Sequence, residues 1–297
     1  MKKMLFVFTA LLAALVFCSV GSAQNSPITK TPPAQKDFEL NSVLMECTFM
    51  LEGRTAQGQQ TLGTGFIMGR PIPNQSDRGR YVLITAAHVL DGMAGDTALL
   101  HLRRKIDENK FEHVPYQIAI RSNGQPLWTK NPNADVAVMY IQIPNEIVIP
   151  ILPTTLLADD KTLSDFQVHP GDELECLGYP LGSASNDAGF PILRSGRVAS
   201  YPLLPTATTK TFLLDVRVFK GNSGGPVYLW DSNRLYHGSI HFGTVGFIMG
   251  LVSQEELVPQ VTVGPYDQSV HQLQLDLAVV IHANLIKQTI DMLPAPQ

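Results

Sequence analysis

Three side chains in this sequence have the types needed for nucleophilic attack on a carbonyl: His88, Asp135 and Ser223. Ser223 sits in Phe219-Lys220-Gly221-Asn222-Ser223-Gly224-Gly225-Pro226-Val227, one hydroxyl inside a run of glycines closed by a proline. Glycines there permit positive φ and let a ligand approach the backbone. The segment suits a serine whose Oγ must reach a carbonyl carbon while backbone N–H groups meet the oxygen that turns negative. Taken alone it also reads as a tight turn between two strands. Gly221-Asn222-Ser223-Gly224-Gly225 fits the G-x-S-x-G nucleophile elbow as well. That elbow must lead into a helix, and two glycines and a proline start a helix poorly.

Serine is a weak nucleophile near neutrality and needs a base. Histidine titrates there, so it can take the proton and return it to a leaving group. His88 follows the apolar Tyr81-Val82-Leu83-Ile84-Thr85 and two small residues, Ala86 and Ala87. Asp135 stands at the mouth of Val136-Ala137-Val138-Met139-Tyr140-Ile141. A buried aspartate there would fix the imidazole tautomer and stabilise the imidazolium. Each has an ordinary reading too: a core or surface histidine, a turn aspartate. The order His, Asp, Ser, each beside a strand, favours the chemical one. The N–H groups of Gly221 and Ser223 would then form an oxyanion hole, worth roughly 3 kcal/mol per donor.

Strands must position these groups. Strand-like runs cover 43–51, 63–69, 81–85, 97–102, 114–120 and 136–141, with a polar loop at 71–80. A proline-containing crossover at 144–161 leads to further strands at 172–180, 190–198, 211–216, 227–230, 235–241 and 245–253. Short strands at this spacing argue for barrels or sandwiches. Leu273, Leu277, Val280, Ile281, Leu285, Ile286 and Ile290 recur at helical spacing, which predicts one amphipathic closing helix over 270–292. His237 and His241 would lie about 13 Å apart on a strand, too far for a shared metal.

The 297 residues include 44% hydrophobic and 16% charged ones, which allows a sizeable core. The formal net charge of -4 gives no basic field for nucleic acid. Arg103-Arg104-Lys105 reads as a solvated strand end. Met1-Lys2-Lys3, an apolar run over 4–20 and Gly21-Ser22-Ala23 read as a signal peptide cut after Ala23. The predicted location is secreted or periplasmic, with no stable membrane insertion after cleavage. Residues 24–36 read as a flexible linker. Cleavage leaves Cys47 and Cys176, two buried free thiols or a bridge, with free thiols preferred.

Gly63-Thr64-Gly65-Phe66, Thr85-Ala86-Ala87-His88, Ala134-Asp135-Val136-Ala137-Val138, Gly178-Tyr179-Pro180 and Gly221-Asn222-Ser223-Gly224-Gly225-Pro226 follow in order. With these blocks the chain resembles the trypsin-like (chymotrypsin-fold) serine proteases, most closely the bacterial high-temperature-requirement branch without its PDZ domain. Gly250-Leu251-Val252-Ser253 resembles that family's substrate-binding strand. The resemblance implies an all-β fold of two six-stranded antiparallel barrels and a C-terminal helix. The halves would be 37–150 and 151–269, followed by a helix and tail at 270–297.

The resemblance makes His88 the general base, Asp135 its orienting partner and Ser223 the nucleophile. It implies protein or peptide substrates and no cofactor or metal. Asn222 stands where digestive relatives carry an aspartate that pairs with a newly cut N-terminus. Arg217 lies where trypsin selects basic side chains, so the pocket would favour acidic or polar residues unless Arg217 points outward. Ser253 is the second expected substrate-binding residue. A catalytically latent scaffold acting as a binding protein is the alternative. The sequence leaves the oligomeric state open.

Overall fold

The structure is a computed structural model and describes residues 39–72, 75–263 and 268–296. The expected signal peptide and linker lie outside the described residues. The first half runs α1 (Leu40–Cys47), β1 (Thr48–Arg54), β2 (Gln60–Ile72), β3 (Gln75–Thr85), α2 (Ala87–Asp91), β4 (Ala94–Lys105) and β5 (Phe111–Ala119). Short strands β6 (Arg121–Ser122), β7 (Gln125–Pro126) and β8 (Thr129–Lys130) precede β9 (Ala137–Tyr140). Seven of these form one sheet in the order β5-β4-β1-β2-β3-β9-β8, while β6 and β7 pair separately. Phe66, Ile67 and Met68 of β2 and Val82, Leu83 and Ile84 of β3 are all buried, as β-branched and apolar strands at the centre of a sheet require.

The second half comprises α3 (Asp160–Asp165), β10 (Glu173–Gly178), β11 (Ile192–Val198), β12 (Thr211–Asp215), β13 (Pro226–Tyr236), β14 (Ser239–Val263), β15 (Gln268–His282) and α4 (Ala283–Asp291). Its six strands close into a barrel in the order β10-β11-β12-β15-β14-β13. The expected six-stranded barrel is therefore present in this half. The first half differs: its sheet has seven strands and carries β5 and β8 at its edges. One apolar core runs through both halves.

Four local expectations are corrected. Residues 43–47 belong to α1 rather than to a strand; Leu40, Leu44 and Cys47 stack along one buried helical face. The polar stretch 71–80 is mostly ladder, with Arg70 opposite Arg80 and Pro71 opposite Gly79. Backbone pairing there is indifferent to the polar side chains. The closing helix is only α4, because β15 extends to His282. Leu273, Leu275 and Leu277 alternate with Gln272, Gln274 and Asp276, a period of two that suits a strand. Val280 and Ile281 then pair with both β12 and β14 to close the barrel. Finally, Arg103 is buried, although Arg104 and Lys105 are exposed.

Helix α4 joins the two halves near the Asp135 segment. Asn131 Nδ2 donates to Thr289 Oγ1 at 2.9 Å and to the Leu285 carbonyl at 3.3 Å. Cys47 and Cys176 are free and buried, and burial pushes each thiol up to about 12. Both are inert at neutral pH.

Candidate active site

Strand β3 ends at Thr85, and the chain turns through the fully buried Ala86 and Ala87 into α2. This leaves His88 exposed on the first turn. Asp135 lies two residues before β9, and its carbonyl accepts from Ala87 N at 3.2 Å. The carboxylate then meets His88 twice. Oδ1 accepts from the His88 main-chain N–H at 2.8 Å, and Oδ2 lies 2.6 Å from ring Nδ1. Ser253 Oγ donates to Oδ2 at 2.8 Å.

Burial raises the Asp135 carboxyl, but the bonds and charge of His88 and the Ser253 hydroxyl outweigh it and hold it below its usual value. An ionised Asp135 needs a proton on Nδ1, so Nε2 is the free acceptor.

Ser223 lies in the connection between β12 and β13. Thr64 N donates to its carbonyl at 2.8 Å, and Gly224 N donates to Val252 at 2.7 Å. The Ser223 segment is thus pinned between β2 and β14. Glycine is required on both sides of it. Gly221 has φ 98 and Gly224 φ 88. A Cβ at Gly221 would lie 2.2 Å from the Tyr179 carbonyl oxygen, and one at Gly224 would lie 2.1 Å from that of Thr64. Asn222 is buried, and its Oδ1 accepts from Phe219 N at 3.1 Å.

The Lys220–Gly221 peptide has a defined direction. Leu181 N donates to the Lys220 carbonyl at 2.7 Å, and Thr64 Oγ1 donates to the Gly221 carbonyl at 2.6 Å. In a trans peptide the N–H points opposite the C=O. Gly221 N–H therefore faces away from Leu181. Among the described residues, no protein group accepts from the N–H of Gly221 or Ser223.

His88, Asp135, Ser223, Arg217 and Ser253 all line one open cleft of about 1220 Å³. Among the described residues no hydrogen bond joins Ser223 Oγ to His88, a separation that substrate-free sites of this kind show commonly. Arg217 lines the cleft but its charge is engaged. Nε lies 3.1 Å from Asp276 Oδ1, and Nη2 donates to Gln274 Oε1 at 3.0 Å. Ser253, expected to bind substrate, lines the cleft, and its hydroxyl reaches Asp135. No local pattern marks that bond or the support from Leu181. Thr64 was visible only as a member of the Gly-Thr-Gly block. Among the described residues no group of three His, Cys, Asp or Glu side chains is arranged to hold a metal ion.

A profile of the trypsin-like peptidase domain matches residues 63–236, more than half of the chain. The chain belongs to the trypsin-like peptidase family. By family it is a serine protease that acts on protein or peptide substrates. Solved structures similar to this trypsin-like peptidase include the protease Anisep from Arthrobacter nicotinovorans, at 13% identity and TM-score 0.46, covering 82% of this chain and 93% of that one. The thermostable serine protease AL20 from an extremophilic microorganism is similar at 13% identity and TM-score 0.46, with 82% and 95% covered. The Rv3671c protease of M. tuberculosis, in its active form, is similar at 16% identity and TM-score 0.43, with 93% and 96% covered. No curated protein matches the chain significantly.

Proposed function

We propose that this trypsin-like peptidase is an exported serine endopeptidase that works through an acyl-enzyme. His88 Nε2 takes the Ser223 proton as Oγ bonds to the scissile carbonyl carbon. The carbonyl oxygen becomes negative and is met by the N–H groups of Gly221 and Ser223. The C–N bond then breaks, and the imidazolium gives its proton to the leaving amine. Water repeats the sequence on the acyl group and restores Ser223. Asp135 keeps the ring in the right tautomer and stabilises its charge. Arg217 and Ser253 line the substrate side.

The two-point bond between Asp135 and His88 supports this reading above all. It commits Nδ1 to the carboxylate and leaves Nε2 as the base in the cleft that Ser223 also lines. Export rests on the charged, apolar and small-residue pattern of 1–23.

Fluorophosphonate labelling of the mature protein, read by peptide mass spectrometry beside Ser223→Ala, tests the reading. Labelling at Ser223 that the variant abolishes is expected. Folded protein that stays unlabelled would favour the latent scaffold instead.

A further inference from the structure

Arg103 on β4 is 4% exposed and forms no salt bridge among the described residues. A buried guanidinium without a carboxylate is costly unless its donors are satisfied. Here they are. Nη2 donates to the carbonyls of Thr48, Met45 and Glu46 at 2.7, 3.0 and 3.1 Å. Nη1 donates to the Gly189 carbonyl at 2.8 Å and to Tyr179 Oη at 3.2 Å. The guanidinium also lies 4.4 Å from the ring centroids of both Phe49 and Phe190. Met45 and Glu46 are in the last turn of α1, where the helix dipole favours a cation.

One side chain therefore ties together the end of α1, the first sheet, and the loop from Tyr179 to Phe190 in the second half. That loop supports the Ser223 segment at its other end. Leu181 N holds the Lys220 carbonyl, and Tyr179 N donates to Thr64 Oγ1 at 3.2 Å, which itself donates to the Gly221 carbonyl. Tyr179 Oη closes the link by donating to the Gly189 carbonyl at 2.9 Å. If Leu181 N withdrew, the Lys220–Gly221 peptide could rotate, because a glycine tolerates the new φ. The carbonyl would then replace the N–H in the cleft.

We propose that Arg103 is a positioning residue for peptide hydrolysis: by clamping Tyr179 and Gly189 to the end of α1, it holds the Leu181–Lys220 bond that aims Gly221 N–H at the reacting oxygen. This rests on the endopeptidase reading above. It also makes the seating of α1 felt at the cleft through a single guanidinium.

The test compares Arg103→Lys and Tyr179→Phe with Arg104→Ala, an exposed control, well below each melting temperature. Lysine keeps the charge but has neither the planar fork nor the stacking surface. Losing an oxyanion donor costs about 10²–10³ in kcat, so a loosened one is expected to cost about tenfold in Arg103→Lys, with KM changed by less than about twofold. The inhibition constant of a peptide aldehyde should rise by the same factor, since its hemiacetal oxygen uses the same donors. Tyr179→Phe should move both quantities in the same direction by less, and Arg104→Ala should move neither.

Variants that lose thermal stability but keep wild-type kcat and aldehyde affinity would overturn the proposal and leave the endopeptidase reading intact. If Arg103→Lys does not fold, Tyr179→Phe decides by the same criterion. A wild-type protein that neither labels nor turns over would overturn both.

Discussion

The Asp135 carboxylate holds His88 by ring and backbone together, with Oδ2 2.6 Å from Nδ1 and Oδ1 2.8 Å from the main-chain N–H. Ring orientation and helix start are therefore set by one side chain. Asp135→Asn keeps the shape but presents an amide where the tautomer needs an anion. It is expected to lower kcat by about 10⁴ with little change in KM. Ser253→Ala removes one bond to the same carboxylate, and hydrogen bonds to charged groups contribute about 1.5–3 kcal/mol, so a loss of about tenfold in kcat is expected. Steady-state kinetics on a short peptide amide checks both. An Asp135→Asn variant with wild-type kcat would remove this pair from the mechanism.

His282 has the opposite setting. It is buried at the β15–α4 junction, where among the described residues neither ring nitrogen has a hydrogen-bond partner, and its ring centroid lies 4.9 Å from that of Phe212. Burial pushes it from 6.5 to about 4, and the charge of Asp160 only partly opposes this. Between those values the unfolded chain binds a proton that the native protein does not, so stability falls as pH is lowered through that window. The whole shift corresponds to about 3 kcal/mol. Urea unfolding should show His282→Phe gaining on wild type near about pH 4.5 and matching it near about pH 7. Glu175 slopes the other way. Burial, then the charges of Glu173 and Asp231, raise it to about 7. Its contribution is present below 4.5 and is lost as pH rises through about 7, so Glu175→Gln should stabilise the protein only on the alkaline side.

The pairing of Arg217 with Asp276 bears on specificity. A guanidinium already matched by a carboxylate gives little attraction to acidic substrate side chains. Cleavage profiling of a peptide library is expected to show no preference for aspartate or glutamate before the cut. Asp276→Asn frees the charge and should raise kcat/KM for acidic over neutral residues by about tenfold, a size a single charge contact can supply. An acidic preference in the wild type, unchanged in the variant, would place the determinant elsewhere.

Much of the site was legible in the chain because its signals are local. Gly221 to Pro226 encode a serine in a turn that only glycine can make, and Thr85 to His88 encode a histidine just past a buried strand. Asp135 at the mouth of a strand completes the set. The closed second barrel was foreshadowed by short strands at regular spacing. The short α4 was not, because Leu273, Leu277 and Val280 fit a helical period while their neighbours Leu275 and Val279 fit a period of two. Only the ladders with β12 and β14 decide between them.

The sequence by itself determined which residue types are present and the order in which they meet the strands. The tertiary structure alone decided which of them touch. Ser253 bonds Asp135 from 118 positions away, and Arg217, just past the end of β12, meets Asp276 where β15 shifts register against β14. Arg103, one of three consecutive basic residues, is buried while its two neighbours are exposed. Its burial depends on carbonyls from α1 and from the loop after β10. No local pattern carries that information, because the cost of burying a charge is offset by whatever distant oxygens the fold brings to it.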